Sequence, residues 1–312
     1  MTEPQQSYRG RFAPSPTGPL HFGSLIAAMG SYLEARHRGG EWLVRMEDLD
    51  PPREVAGAST LILETLERLG FEWDGQVWFQ SRRHEAYLEV LDRLYRDKLT
   101  YRCACSRKMI AEQGRQQGLP PGVYPGSCRN NPAGPHRQHA IRLLTEGQRI
   151  SFEDTLQGTI SQDVEREVGD FVLRRADGLF AYQLAVVVDD AEQGITHVVR
   201  GSDLLDSTPR QIALQHLLGY PTPRYLHLPV AVNEQGQKLS KQTFAPAINV
   251  DNPLPTLVMA LRFLGQNPPA ELLEGDLNSF WRWAVANWQA EALPRKLSIP
   301  FTETSGEFSR KG

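Results

Sequence analysis

The chain has 312 residues, of which 40% are hydrophobic and 23% are charged, and its formal charge at pH 7 is −3. This length is sufficient for two domains and for a full hydrophobic core without disulfides or metal as its main support. The small negative charge excludes a basic field over the whole surface, although it permits a local basic groove.

Residues 1–9 lack the apolar core of a signal peptide. No apolar run approaches the roughly 20 residues that a membrane-spanning helix needs. The longest run, residues 184–188, has the length of a strand. We therefore expect a cytoplasmic protein.

Helical and strand patterns alternate in the first third of the chain. Apolar spacing predicts helices over residues 21–38, 54–69 and 83–97, and Gly39 and Gly40 end the first of them. A short apolar strand follows at residues 42–44. This strand and helix order predicts an α/β fold with a parallel sheet.

Residues 103–139 interrupt this pattern, because they are rich in glycine and proline and contain all three cysteines. We expect a loop-rich inserted subdomain there, with regular structure resuming at Ala140. The remaining elements are predicted as a turn at Asp177-Gly178 between strand-like segments 171–173 and 179–188, a strand at 196–199, a helix from Ser207-Thr208-Pro209 to Gly219, a strand at 228–232, and an amphipathic helix near 277–289.

Residues 11–24 read RFAPSPTGPLHFGS and form the most informative segment. Their prolines and Gly18 force an irregular loop, and the helix that follows begins at about His21. Backbone N–H groups, a helix N-terminus and an imidazole then lie together, which suits an anionic phosphate. The alternative is a structural loop in which His21 only caps the helix.

Residues 238–242 read KLSKQ and follow a predicted turn at Gln235-Gly236. Lys238 and Lys241 on such a loop can neutralise a triphosphate and the charge that develops on a leaving pyrophosphate. The alternative is a solvated basic loop without a ligand.

Together the two segments resemble the signatures of the class I aminoacyl-tRNA synthetases. HFGS is similar to the HIGH signature, KLSKQ is similar to KMSKS, and the longer segment resembles the glutamyl and glutaminyl branch. The resemblance covers residues 8 to about 250. The departures replace no charged position of either signature; they are Phe22, Ser24, Leu239 and Gln242.

The resemblance implies a Rossmann-type catalytic domain that adenylates an amino acid with ATP and Mg²⁺. It implies that His21, Gly23 and Lys241 contact ATP. It also implies that His21, Lys238 and Lys241 are the catalytic residues, with Lys241 stabilising the transition state of adenylation. Mg²⁺ is expected on the phosphates, and no side chain need act as a covalent nucleophile.

Glutamate carries two carboxylates and one ammonium, so its site needs arginines and a carboxylate. Arg11, Glu47 and Arg200 lie near predicted strand ends, where ligands of parallel sheets bind. The family pattern assigns glutamate contacts to a larger set of positions. They are Arg11, Ala13, Ser15, Glu47, Tyr182 and Arg200.

The cysteines Cys103, Cys105 and Cys128 provide three soft ligands, whereas zinc usually takes four. By residue type the fourth ligand is Tyr124, His136 or His139, and three unpaired thiols without metal are the alternative. The resemblance implies one structural zinc with Tyr124 in the fourth position, and His136 is the fallback.

After Gln242 only 70 residues of the 312 remain, which predicts a short helical C-terminal region and no anticodon-binding domain. Short members of this branch transfer glutamate to the queuosine base at the wobble position of tRNA(Asp). The resemblance therefore implies ATP, L-glutamate and the queuosine-bearing anticodon stem-loop as partners of a monomer. Candidate RNA-binding residues are Arg82, Arg83, Arg107, Lys108, Arg129 and Arg137.

The expected organisation has four parts. They are residues 1–102 (first half of the catalytic domain), 103–139 (zinc-binding insertion), 140–250 (remainder of the acceptor-like subdomain and the second half of the catalytic domain, with the KLSKQ loop) and 251–312 (helical C-terminal region).

Three other functions remain as alternatives. They are a truncated glutamyl-tRNA synthetase that charges a tRNA 3′ end, a small-molecule amide ligase on the same adenylating core, and a non-catalytic binding paralogue.

Overall fold

The structure is a computed structural model that describes residues 7–233, 235–239 and 248–301. Its strands are β1 (Arg9–Phe12), β2 (Glu41–Met46), β3 (Trp78–Phe79), β4 (Thr100–Cys103), β5 (Ala140–Leu143), β6 (Arg149–Asp154), β7 (Gly158–Asp163), β8 (Val172–Arg174), β9 (His197–Gly201), β10 (Arg224–Leu228), β11 (Val230–Val232) and β12 (Ser298–Pro300).

The α-helices are α1 (Phe22–His37), α2 (Ala58–Arg68), α3 (His84–Arg96), α4 (Arg107–Gln116), α5 (Val164–Glu167), α6 (Tyr182–Glu192), α7 (Thr208–Leu218), α8 (Pro253–Phe263) and α9 (Leu277–Ala286). Short 3₁₀ helices span Pro51–Arg53, Gln80–Arg82, Ser202–Ser207, Ala270–Leu273 and Ala290–Ala292. Within the described residues, no helix combines the length and apolar character needed to cross a bilayer.

Parallel strands form the centre of the molecule. β1, β2 and β3 pair in parallel, and β10 pairs in parallel with both β6 and β9. The two sheets meet at β1 and β9, because the Arg9 N–H donates to Thr196 Oγ1 over 2.8 Å and the Thr196 N–H donates to the Arg9 carbonyl over 2.9 Å. The predicted α/β fold with parallel strands is confirmed.

The segment after β4 is organised differently. β4, β5 and β8 form an antiparallel sheet in that order, and α4 lies between β4 and β5 in sequence. Residues 117–139 contain no helix or strand, and regular structure resumes at Ala140 as predicted. β11 and β12 form a separate parallel pair that joins the C-terminal segment to the strand that follows β10.

The main hydrophobic core surrounds α1, which packs between the parallel sheet and the C-terminal helices. Tyr32 of α1 makes edge contacts with Trp42 and Trp281, at centroid distances of 5.1 Å and 4.9 Å. The Trp281 indole N–H also donates to the Leu69 carbonyl over 2.9 Å. The predicted amphipathic face of α9 is thereby buried against the first half of the chain.

Most predicted helices are confirmed, but three expectations need correction. The run 184–188 is part of the buried helix α6, since a short apolar run in a fully buried helix lacks the period that would identify it. The helix predicted from residue 54 begins at Ala58, because Gly57 adopts a left-handed conformation with φ 78°. The strand predicted over 228–232 divides at Pro229, which has no N–H for the sheet.

Two helical glycines give opposite predictions for stability. A Cβ on Gly30 of α1 would overlap Leu228 Cδ1, whereas a Cβ on Gly114 of α4 would meet only the Val123 carbonyl at 3.8 Å. We expect Gly30→Ala to lower the free energy of unfolding by about 1–3 kcal/mol through overpacking. We expect Gly114→Ala to raise it by about 0.5–1 kcal/mol, because alanine is the better helix former.

Urea denaturation of the two variants and the unmodified chain measures both effects. If both alanine variants are more stable than the unmodified chain, the close contact between Gly30 of α1 and Leu228 of β10 is contradicted.

Candidate functional site

A cavity of about 590 Å³ opens at the carboxyl ends of the parallel strands. Ala13, Glu47 and Pro229 line it, and each directly follows one of the strands β1, β2 and β10. This is where ligands bind in open α/β sheets. Every predicted ATP or glutamate residue in the described part of the chain lines this cavity. They are Arg11, Ala13, Ser15, His21, Gly23, Glu47, Tyr182, Arg200 and Lys238.

His21 both caps α1 and borders the cavity. Its Nδ1 accepts a hydrogen bond from the Ser24 N–H over 3.3 Å, and its backbone is extended with φ −123° and ψ 173°. The preceding loop turns at Gly18, whose φ of 130° disfavours a side chain. The capping and the cavity interpretations of His21 are therefore compatible.

Gly23 is the point where the two signature segments approach each other. A Cβ there would lie 3.2 Å from the His21 ring and 3.4 Å from the Leu239 carbonyl oxygen. The Leu239 N–H donates to the Ala231 carbonyl over 2.8 Å, which fixes this end of the KLSKQ segment to β11. Lys241 lies outside the described residues.

Lys238 and Asp203 form an ion pair at the cavity wall, with 2.5 Å between Lys238 Nζ and Asp203 Oδ2. Asp203 belongs to the short 3₁₀ helix after β9 and was not predicted from the sequence. The pair places a cation and an anion at the wall of the cavity that Gly23 also lines.

Arg11 is buried and held by a carboxylate below the cavity. Its Nε and Nη2 donate to the two oxygens of Asp190 over 3.1 Å and 3.3 Å. Arg45 donates to the same carboxylate over 2.6 Å. Burial alone would raise the pKa of Asp190, but Arg11 and Arg45 outweigh it and lower this pKa below its ordinary value. Asp190 is thus an anion that fixes the position of Arg11.

Glu47 lies close to the same charges but is not tightly paired. Its carboxylate is 3.9 Å from Arg45 Nη2, and its side chain is only 11% exposed. Burial raises the pKa of Glu47 to about 7, although Arg45 and Arg11 oppose the shift. A ligand ammonium would favour the ionised form of this carboxylate.

Arg200 lies on β9, the strand next to β1, and is 5% exposed. Its Nη1 donates to the Tyr182 hydroxyl over 3.2 Å. Arg11, Arg200 and Glu47 therefore present two guanidinium groups and one carboxylate to one cavity. This charge set is complementary to a ligand with two carboxylates and one ammonium.

The cysteines form a second cluster, distant in sequence from the cavity residues. The sulfurs of Cys103, Cys105 and Cys128 lie within 4.8 Å of one another, and no histidine of the described chain joins them. Cys105 and Cys128 sulfurs are 3.5 Å apart, and Cys103 Sγ is 3.3 Å from the Tyr124 hydroxyl.

These distances fit a tetrahedral metal. Zn–S bonds of about 2.3 Å at tetrahedral angles separate two thiolates by about 3.8 Å. The Tyr124 hydroxyl accepts a hydrogen bond from the Cys128 N–H over 3.1 Å, so it lies beside the three sulfurs. His136 lies outside the cluster, which disfavours it as the fourth ligand.

Two predicted RNA-binding arginines are engaged within the protein. Arg83 pairs with Asp189 over 2.6 Å, and Arg129 pairs with Asp170 over 2.6 Å. Both are therefore needed for internal charge balance. The other candidates have exposed side chains; they are Arg82, Arg107, Lys108 and Arg137.

The sequence did not identify several residues behind the cavity. Asp190 supports Arg11, and His227 contacts Arg200 Nε over 3.0 Å. One signal was present, since Asp189 and Asp190 follow a run of valines that must be buried, and buried carboxylates are rarely without a cationic partner. His227 had no comparable signal in its sequence neighbourhood.

Comparison with known proteins agrees with this geometry. The family model described as the catalytic domain of class I tRNA synthetases (E and Q) matches residues 7–265. A glutamyl-Q tRNA(Asp) synthetase of Dechloromonas aromatica (strain RCB) is 60% identical over 294 residues, which cover 94% of this chain and 97% of that protein. Another, from Chromobacterium violaceum, is 58% identical over 95% of this chain and 98% of that protein.

Among solved structures, a glutamate-tRNA synthetase from Elizabethkingia anophelis has the same fold. It superposes with a TM-score of 0.79 at 24% identity, over 96% of this chain and 68% of that one. The chain therefore belongs to the class I tRNA synthetases of the glutamyl and glutaminyl branch, and within that branch to the family of the glutamyl-Q tRNA(Asp) synthetases.

Proposed function

We propose that this protein activates L-glutamate with ATP and transfers it to the queuosine base at the wobble position of tRNA(Asp). One observation supports the activation of glutamate with ATP. A single cavity at the strand ends contains two buried arginines, one carboxylate that is only 11% exposed, and residues from both synthetase signatures. The names and full-length similarity of the relatives support the transfer of glutamate to queuosine.

Glutamate recognition is assigned to the charged side of the cavity. Arg11 and Arg200 bind the carboxylates, and Glu47 binds the ammonium. Tyr182 donates its hydroxyl hydrogen to the ligand, because its oxygen already accepts from Arg200. Ala13 and Ser15 contribute contacts from the loop between β1 and α1, which borders the same cavity.

ATP is assigned to the end of the cavity formed by the two signature segments. His21 and Gly23 contact the nucleotide, since the N-terminus of α1 favours an anion. Lys238 and Lys241 neutralise charge on the phosphates, and Mg²⁺ accompanies the ATP. A carboxylate oxygen of glutamate bonds to the α-phosphorus, and pyrophosphate leaves with the electron pair of the broken P–O bond.

Transfer follows from the same intermediate. A queuosine hydroxyl attacks the glutamyl carbonyl, loses its proton, and displaces AMP as the ester forms. The RNA surface is assigned to the insertion, where residues 103–139 contain five arginines or lysines and one carboxylate. Such a local excess of positive charge attracts the phosphate backbone although the whole chain is negative.

The insertion is proposed to hold one structural zinc. Cys103, Cys105 and Cys128 supply three thiolates, and Tyr124 supplies the fourth ligand. The sulfur and hydroxyl separations support this set, and the metal would contribute folding energy to a segment that has little regular structure of its own.

Glutamate-dependent exchange of pyrophosphate into ATP tests the activation step. We expect exchange with glutamate and no exchange with glutamine or aspartate. Lys241→Ala should slow exchange about 100-fold, as the loss of a transition-state charge contact does. Lys296→Ala is the matched control, because Lys296 is exposed and does not line the cavity. Exchange with every amino acid, or an unchanged rate for Lys241→Ala, contradicts the assignment.

Glutamate affinity should depend on the protonation of Glu47. The pKa of Glu47 is raised to about 7 in the protein without ligand, and the ammonium needs the ionised form. Binding should therefore strengthen as the pH rises through 7 and weaken as the pH falls below it. We expect the KM for glutamate to be about tenfold higher at pH 6 than at pH 8, as one competing proton requires.

The control for this pH effect is Glu47→Gln, which cannot titrate. Its KM for glutamate should be high and nearly constant over the same range. A constant KM in the unmodified protein would remove Glu47 from ammonium binding.

Metal analysis tests the zinc proposal without any activity measurement. We expect about one zinc per chain, loss of that zinc in Cys105→Ser, and a lower melting temperature for this variant. His136→Ala should keep the metal. Absence of zinc from the unmodified protein, or its loss only in His136→Ala, would refute the ligand set.

A further inference from the structure

Arg200 is surrounded by acceptors that lie behind the cavity wall. Its Nη2 donates to Thr208 Oγ1 and to Gln211 Oε1, each over 2.8 Å, and its Nε donates to His227 Nε2 over 3.0 Å. His227, Thr208 and Gln211 are at most 2% exposed and do not line the cavity. Hydrogen bonds to residues in the protein interior therefore fix the position of the guanidinium group.

Most N–H groups of the Arg200 guanidinium are used within the protein, and one remains for a ligand. Guanidinium has five N–H groups. The Nε group and both Nη2 groups are used by the interior acceptors, and one Nη1 group is used by Tyr182. The remaining N–H is on Nη1, the nitrogen nearest to Tyr182 and hence to the cavity wall. The ligand thus meets one Arg200 N–H and the Tyr182 O–H, and both are donors.

His227 can accept from Arg200 in only one of its neutral forms. Because Nε2 accepts, the ring proton must be on Nδ1, which faces Asp154 Oδ2 at 2.6 Å. Asp154 is itself fixed, since its other oxygen accepts from the N–H groups of Leu156 and Gln157 over 3.0 Å and 2.9 Å. The carboxylate selects the tautomer, and the tautomer provides the acceptor for Arg200.

We propose that Asp154 and His227 are positioning residues that fix Arg200 so that it presents one N–H, next to the Tyr182 O–H, to the carboxylate of the amino acid substrate. This inference rests on the proposed function, because it assumes that Arg200 binds glutamate. If Arg200 is fixed in this way, the ligand meets two hydrogen-bond donors beside Arg200 and Tyr182. A carboxylate satisfies both donors, whereas an amide that offers its NH₂ group leaves them unpaired.

Two substitutions of His227 separate positioning from folding. His227→Leu fills the space without an acceptor, and His227→Gln retains an acceptor near the position of Nε2. In the exchange assay we expect His227→Leu to raise the KM for glutamate at least tenfold and to leave the KM for ATP within about twofold, because only the glutamate side of the cavity loses a fixed donor. His227→Gln should recover most of the affinity for glutamate.

A purely structural role for His227 would give a different pattern. It would change both KM values together, with no recovery of glutamate affinity in His227→Gln. An unchanged KM for glutamate in a folded His227→Leu variant would also overturn the proposal.

Nitrogen-15 NMR of the histidines provides a second test that needs no activity. We expect the signal of His227, identified by its absence from His227→Gln, to show a proton on Nδ1 and to be displaced in Asp154→Asn. A proton on Nε2 of His227 overturns the proposal, even if the protein activates glutamate. If the protein does not activate glutamate, the proposed function fails, and the NMR result still decides whether Asp154 and His227 position Arg200.

Discussion

Two guanidinium groups are buried at the end of a parallel sheet, and the site depends on keeping both charged and in place. An unpaired buried charge costs several kcal/mol, so each arginine needs its own interior partner. Asp190 binds Arg11 through both oxygens, and the Asp154–His227 pair binds Arg200 through an imidazole. Because these partners lie behind the cavity, the remaining donors of the arginines are available to a ligand.

The fold supplies these partners from elements that meet only in the tertiary structure. Asp190 is on α6, Asp154 ends β6, and His227 is on β10. The central position of β10 between β6 and β9 places His227 directly opposite Arg200, and Asp154, opposite Tyr225, reaches His227 with its side chain. Parallel pairing therefore does more than form a core, since it aligns the residues that orient the substrate-binding arginine.

Much of this arrangement could be predicted from the sequence, because the information was local. The helix after His21 and the turn at Gly18 follow from proline, glycine and apolar spacing, and the signature segments identified the residues around the cavity. The misassigned run 184–188 shows the limit, since a buried helix carries no apolar period. His227 and Asp154 could not be predicted, because their pairing depends on the order of strands, which no local pattern encodes.

Glutamate transfer to queuosine can be tested directly with labelled glutamate and two pools of tRNA. One pool comes from cells that make queuosine, and the other comes from cells that cannot. We predict that label enters only the queuosine-containing pool, because the acceptor hydroxyl belongs to the modified base. Equal labelling of both pools would contradict transfer to queuosine and would indicate charging of the tRNA 3′ end.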